Sequence, residues 1–115
     1  FHNRILVLGA GSVAQCAIPL LLEHLVEAKQ MTIVDKRDNR SRVQQAIDQG
    51  ATYVQDELTR SNLDEFLSQF LSEGDFLLDL AWDIDANAMI EWAHDHGVIY
   101  VNTSPVYLER LTVRK

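Results

Sequence analysis

Short apolar segments alternate with longer amphipathic ones along the whole chain. The short segments, such as ILVL and FLLDL, are nearly continuous runs of large apolar residues, which is typical of strands buried on both faces of a parallel sheet. The longer segments carry apolar residues at helical spacing. The pattern predicts five strands, at residues 4–8, 31–35, 51–55, 75–80 and 98–102. It predicts four intervening helices, at residues 12–28, 40–49, 61–71 and 85–96.

Regular alternation of strands and helices predicts an α/β fold, a doubly wound parallel sheet with helices on both faces. The strand order expected for such a sheet is 3-2-1-4-5. Ligands bind these sheets at the carboxyl ends of the strands, where the strand order reverses. The residues that directly follow each strand are therefore the candidates for a binding site.

A glycine motif follows the first predicted strand, where residues 9–14 read GAGSVA and have the form G-x-G-x-x-A. Gly9 would let the backbone turn out of the strand, and Gly11 would let a pyrophosphate approach the backbone. Ala14 would replace a third glycine and still permit close packing of helix and strand. The backbone at Ser12 and Val13 would then present N–H groups to the phosphates, with Ser12 as the expected N-cap.

An acidic residue, Asp35, ends the second predicted strand, 24 positions after Gly11 (35 − 11 = 24). This spacing is typical of a carboxylate that binds the adenosine ribose hydroxyls of a dinucleotide. The next residue, Lys36, would lie beside the same ribose, and Lys36 and Arg37 would favour the 2′-phosphate of NADP. The Asp35 carboxylate would repel that phosphate, so we expect NAD. A purely structural glycine turn is the alternative interpretation.

Two further segments follow predicted strands. Ala81 and Trp82 follow the fourth strand, where they would lie near the pyrophosphate and the nicotinamide, or where Trp82 would pack under another domain. Thr103 and Ser104 follow the fifth strand, where their hydroxyls would meet the nicotinamide carboxamide or form part of a turn before Pro105. All four are candidate cofactor-binding residues, and no catalytic or metal-binding residue is predicted.

Charge and composition exclude other classes of protein. The net charge is −7, and residues 51–100 hold eleven acidic side chains against one basic one, which argues against nucleic acid or an anionic membrane as a partner. No apolar run is long enough to cross a bilayer. The single cysteine, Cys16, excludes an internal disulfide and is expected to be a buried thiol in a cytoplasmic protein.

Residues 1–115 account for one dinucleotide-binding domain and for no substrate domain. The chain begins at Phe1 and ends without a further element after the fifth predicted strand. We therefore expect one domain of a longer enzyme, which would be inactive as an isolated fragment.

Residues 4–108 resemble the N-terminal domain of the homospermidine synthases, within the wider saccharopine dehydrogenase-like group. The specific parts of the likeness are Pro19 in the first helix, LTRSNL at residues 58–63, GDFLL at residues 74–78 and YVNTS at residues 100–104. Two departures are Ala14, where glycine is usual, and the pair at residues 81–82, where smaller polar residues are usual.

This resemblance implies NAD as a retained redox group in a full-length, homo-oligomeric enzyme that takes a diamine into a domain absent here. Putrescine would lose hydride, the resulting imine would release ammonia on combining with a second putrescine, and returned hydride would give homospermidine. The alternatives are an oxidoreductase of the saccharopine or carboxynorspermidine dehydrogenase type and a regulatory nucleotide-sensing domain.

Overall fold

The computed structural model of the protein describes residues 3–24, 26–59, 61–80 and 86–102. Its strands are β1 (Ile5–Leu8), β2 (Met31–Asp35), β3 (Thr52–Gln55), β4 (Phe76–Asp79) and β5 (Ile99–Asn102). Its α-helices are α1 (Ser12–His24), α2 (Gln44–Asp48), α3 (Leu63–Phe70) and α4 (Ala86–His96). Two 3₁₀ turns, Ala28–Gln30 and Arg40–Val43, precede β2 and α2.

The five strands form one parallel sheet in the order β3-β2-β1-β4-β5, which confirms the predicted topology. Leu8 at the end of β1 is in register with Val34 on one side and Asp79 on the other. The carboxyl ends of the three central strands therefore lie level, and the strand order reverses at β1.

Each face of the sheet is covered by two helices. Ala14 and Ile18 of α1 join Ala46 of α2 in a buried cluster on one face. Phe66 and Leu67 of α3 join residues of α4 in a second cluster on the other face. The central strands β1, β2 and β4 are largely buried from both sides, as their continuous hydrophobic sequences predict, whereas β5 leaves Ile99 and Val101 exposed.

The first helix is shorter than the predicted span of residues 12–28. The structure ends α1 at His24, and the Val26 N–H donates to the Leu21 carbonyl (2.9 Å), a backbone bond that commonly closes helix C-termini. Ala28 instead opens the 3₁₀ turn before β2. The predicted second helix likewise starts as a 3₁₀ turn, so only its later part is α-helical.

The prediction of a buried thiol at Cys16 is wrong, because this side chain is exposed. Ala14 and Ile18 face the sheet, and a residue two positions from each lies on the opposite side of the helix. No helix within the described ranges is both long enough and apolar enough to span a bilayer.

Candidate dinucleotide site

The chain turns sharply at Gly9 on leaving β1. Gly9 has a φ of 100°, in the region that favours glycine, and its N–H donates to the Val34 carbonyl at 2.7 Å. The turn thus begins while the backbone is still bonded to β2. This is the role that the motif predicts for the first glycine.

Gly11 lies in open space at the start of α1. A Cβ built on Gly11 would meet nothing within 4 Å, so the fold itself does not require a glycine here. The Gly11 carbonyl accepts the first helical bond from Gln15 N–H (3.1 Å), which makes Gly11 the N-cap and Ser12 the first helical residue. The prediction of Ser12 as N-cap is therefore wrong by one position.

The first turn of α1 offers N–H groups to the open space beside Gly11. An α-helix leaves its first N–H groups without partners inside the helix, and these carry its partial positive charge. Ser12 and Val13 provide such backbone groups, although their side chains lie outside the described part of the structure. Ala14 is completely buried beneath the turn, in agreement with its predicted packing role. The arrangement suits an anionic group.

Asp35 connects the end of β2 to the glycine turn. Its Oδ2 accepts hydrogen bonds from the Ala10 N–H (2.8 Å) and from the Asn39 side-chain amide (3.0 Å). Its Oδ1 accepts one from the Arg37 N–H (2.9 Å). A carboxylate oxygen has about two lone pairs, so among these contacts Oδ1 keeps acceptor capacity. The motif and the acid that the sequence pairs by spacing are thus in direct contact.

These contacts keep Asp35 ionised. Partial burial raises the pKa of Asp35, but the N–H groups of Arg37 and Ala10, the Asn39 amide and the Arg37 charge together lower the pKa below its usual value. The site therefore presents a fixed, partly exposed negative charge at the carboxyl end of β2.

Tyr53 of β3 supports this acid, and the sequence analysis missed it. Its hydroxyl donates to the Arg37 carbonyl (2.8 Å) and accepts from the Asn39 N–H (3.0 Å). Burial raises the pKa of Tyr53, with a further contribution from the charge of Asp35, so the phenol stays protonated. The only signal in the sequence is an aromatic residue near the end of the strand that neighbours β2.

Lys36 and Arg37 are both exposed on the turn after Asp35. The candidates Ala81, Trp82, Thr103 and Ser104 lie outside the described residues, so their predicted contacts stay predictions.

Asp79, which the sequence analysis did not single out, lies fully buried at the end of β4. It accepts a hydrogen bond from the Tyr100 hydroxyl (2.8 Å). Among the described side chains, no group of three or more His, Cys, Asp or Glu could hold a metal ion.

Residues 5–115 match the family model described as the saccharopine dehydrogenase NADP binding domain. The chain belongs to this family. The match covers the glycine turn, Asp35 and all five strands, and it agrees with the saccharopine dehydrogenase-like group to which the sequence resemblance points.

A solved structure extends the comparison. The chain is similar to the homospermidine synthase from Legionella pneumophila, crystallised in complex with NAD, with a TM-score of 0.80 and 31% sequence identity. The similarity covers 89% of this chain but only 22% of that protein, so this chain spans about a fifth of its length. A search of curated proteins gives no significant match. The likeness confirms the predicted fold class and the resemblance to homospermidine synthases.

Proposed function

We propose that this chain is the NAD-binding domain of a homospermidine synthase-like enzyme. The observation that carries the proposal is the hydrogen bond from the Ala10 N–H to Asp35 Oδ2 (2.8 Å), beside the open space at Gly11. This bond places the proposed phosphate-binding turn directly beside the proposed ribose-binding carboxylate, at the carboxyl ends of β1 and β2. The NAD held by the similar Legionella protein supports the same cofactor here.

Different residues of the site would bind different parts of the cofactor. The backbone of Gly9, Gly11, Ser12 and Val13 would bind the pyrophosphate, since these groups surround the open start of α1. Asp35 would accept a ribose hydroxyl on Oδ1, the oxygen with acceptor capacity left. We also propose that Lys36 lies beside the ribose. The proposed contacts to the nicotinamide are those predicted from the sequence, Ala81, Trp82, Thr103 and Ser104. When bound, NAD would supply the hydride acceptor and donor.

The family description prints NADP, whereas the similar structure holds NAD. The charge on Asp35 favours NAD, because a 2′-phosphate carries about 1.5 to 2 negative charges at neutral pH. The cations at Lys36 and Arg37 are exposed, so solvent and salt screen their attraction for that phosphate. We therefore expect NAD to bind at least about tenfold more tightly than NADP, which is about 1.4 kcal/mol.

Calorimetric titration of the chain with NAD and with NADP tests the proposal. Asp35→Ala is expected to weaken NAD binding and to narrow the difference between the two cofactors. Asp38→Ala is the matched control, because it removes the same charge from an exposed position on the same loop. A wild-type preference for NADP, or an unchanged ratio in Asp35→Ala, would overturn the assignment.

For the whole enzyme we propose that putrescine loses hydride and forms an imine, which releases ammonia on reaction with a second putrescine before hydride returns. The diamine site and a homo-oligomeric interface would then belong to the rest of the protein. The experiment is an assay of putrescine with NAD, followed by detection of homospermidine. We expect product from the full-length enzyme and none from the 115-residue chain. Homospermidine made by the 115-residue chain alone would contradict the proposal that the diamine site lies in the rest of the protein.

The family match favours a second candidate, an oxidoreductase of the saccharopine dehydrogenase type. Such an enzyme would couple an amine to a carbonyl substrate and would reduce the product with the nicotinamide cofactor. Net oxidation of NADH during product formation separates it from a synthase, in which the hydride is returned and no net cofactor is consumed. Neither comparison favours the regulatory nucleotide-sensing alternative.

A further inference from the structure

We propose that Tyr53 and Asn39 are positioning residues that hold the Asp35 carboxylate in place and thereby set the preference for NAD over NADP. This inference rests on the proposed function, and it adds two residues that carry no part of the glycine motif. Both are partly buried, and neither follows directly from the spacing of the motif.

Tyr53 is anchored to the core by its ring and to the site by its hydroxyl. The ring packs against the buried cluster under α1 and α2, and the backbone is in register with Ile33 of β2. The hydroxyl then reaches the loop after β2, where it donates to the Arg37 carbonyl (2.8 Å) and accepts from the Asn39 N–H (3.0 Å). One rigid side chain therefore fixes two points of that loop.

Asn39 transmits this constraint to the acid. Its side-chain amide donates to Asp35 Oδ2 (3.0 Å), and the same oxygen accepts from Ala10 in the glycine turn (2.8 Å). The Arg37 N–H holds the other carboxylate oxygen (2.9 Å). The hydrogen bonds thus run from β3 through the loop to Asp35, and on to the turn beside α1.

The same contacts restrain the positive charges near the ribose. Tyr53 holds the backbone of Arg37, and the Arg40 guanidinium lies 5.3 Å from the centre of the Tyr53 ring. A loop held in this way keeps the carboxylate toward the ribose. If the loop loosens, Asp35 loses a donor, and the cations on the loop gain freedom to approach a 2′-phosphate.

Tyr53→Phe keeps the ring and removes only the hydroxyl. Titration with NAD and NADP is expected to show the ratio of the two affinities narrowed about fivefold, the factor that the consequent loss of the single Asn39–Asp35 hydrogen bond would produce. Asn39→Ala, which removes the amide but keeps the backbone N–H, should narrow the ratio by a similar factor. In an Asp35→Ala background, Tyr53→Phe should change the ratio no further.

Tyr100→Phe is the matched control, because it too removes only a phenolic hydroxyl, in this case one that donates to the strand-end Asp79 in the other half of the sheet. It should leave the ratio of NAD to NADP affinity within about twofold of wild type. The inference is overturned if Tyr53→Phe leaves the ratio of NAD to NADP affinity unchanged, or if Tyr100→Phe narrows this ratio as much as Tyr53→Phe does. It is also overturned if Tyr53→Phe narrows the ratio without Asp35.

A measurement without ligand separates this inference from the proposed function. Nuclear magnetic resonance titration of the Asp35 carboxyl carbon should show a higher pKa in Tyr53→Phe and in Asn39→Ala than in wild type. Tyr100→Phe should give the wild-type value. If wild type prefers NADP, the proposed function fails while this titration still tests the positioning of Asp35; an unmoved pKa in both variants overturns that positioning.

Discussion

Two aspartates at opposite ends of the sheet use similar hydrogen bonds for different purposes. At the amino end, Asp75 accepts from the N–H groups of Arg4 (2.9 Å) and Ser72 (2.8 Å) and from the Arg4 guanidinium (3.2 Å). At the carboxyl end, Asp35 accepts from two backbone N–H groups and from a neutral amide. Asp75 is only 5% exposed, whereas Asp35 is partly open to solvent. The first is a structural support, and the second is a fixed charge that a ligand can reach.

The glycines at the two ends of the sheet show the same contrast between a structural role and an open position. Gly74, at the amino end, has a φ of 87°, and a Cβ there would lie 2.7 Å from Asn3 Nδ2. Gly11, at the carboxyl end, has nothing within 4 Å of its Cβ position. The glycine at Gly74 is therefore required by the fold, whereas the glycine at Gly11 has a reason only if something binds beside it.

The largest expected effect is on NAD binding in Gly11→Val, since the new side chain would occupy the space proposed for the pyrophosphate. We expect at least about a hundredfold loss of affinity, about 2.7 kcal/mol. The free energy of unfolding should fall by no more than about 1 kcal/mol. Valine is a poorer N-cap than glycine, which accounts for this loss, but a Cβ at this position meets no other group of the fold within 4 Å. Calorimetric titration and circular dichroism measure the two quantities.

Gly74→Val is the matched variant for this experiment, and it should show the opposite result, a lower melting temperature with NAD affinity retained in the folded protein. Normal NAD affinity in Gly11→Val would show that the glycine turn is only structural.

The next largest effect is on stability at the amino end. Asp75→Ala removes a nearly buried carboxylate and leaves the partly buried N–H groups of Arg4 and Ser72 without their acceptor, so we expect a loss of about 2–4 kcal/mol in the free energy of unfolding. Asp35→Ala should cost about 1–2 kcal/mol, because water reaches that edge and replaces part of the lost bonding. Urea denaturation of both variants measures the difference. An equal or larger loss in Asp35→Ala would mean that Asp35 is mainly structural.

The predictable part of the molecule is the part that local sequence determines. Parallel strands, the glycine turn and the acid at the end of β2 follow from continuous apolar runs and from fixed spacing. The strand order follows from the doubly wound topology that these elements imply. These features were correctly predicted because each depends on a few neighbouring residues or on a general rule of α/β folds.

The contacts of Tyr53 and Asp75 were not predictable in the same way. Each joins segments that are distant in sequence and become neighbours only through the register of the sheet, as when Tyr53 reaches Asn39 and Arg37 from the next strand. The end of α1 was also missed, because the bond from Val26 to Leu21 has no strong signal in residue type.

The smallest expected effect is the pH dependence that Asp35 contributes. Its folded pKa is lowered, so its stabilising bonds are fully present above the unfolded value of about 3.9 and are lost as the pH falls through the folded value. The difference in unfolding free energy between wild type and Asp35→Asn should therefore stay constant from about pH 5 to pH 8 and shrink below about pH 4. Urea denaturation across this range measures it, and Asp38→Asn subtracts the general effect of removing one negative charge. A difference that already declines between pH 8 and pH 5, about the range in which histidines titrate, would show that Asp35 is not held as a carboxylate by these donors.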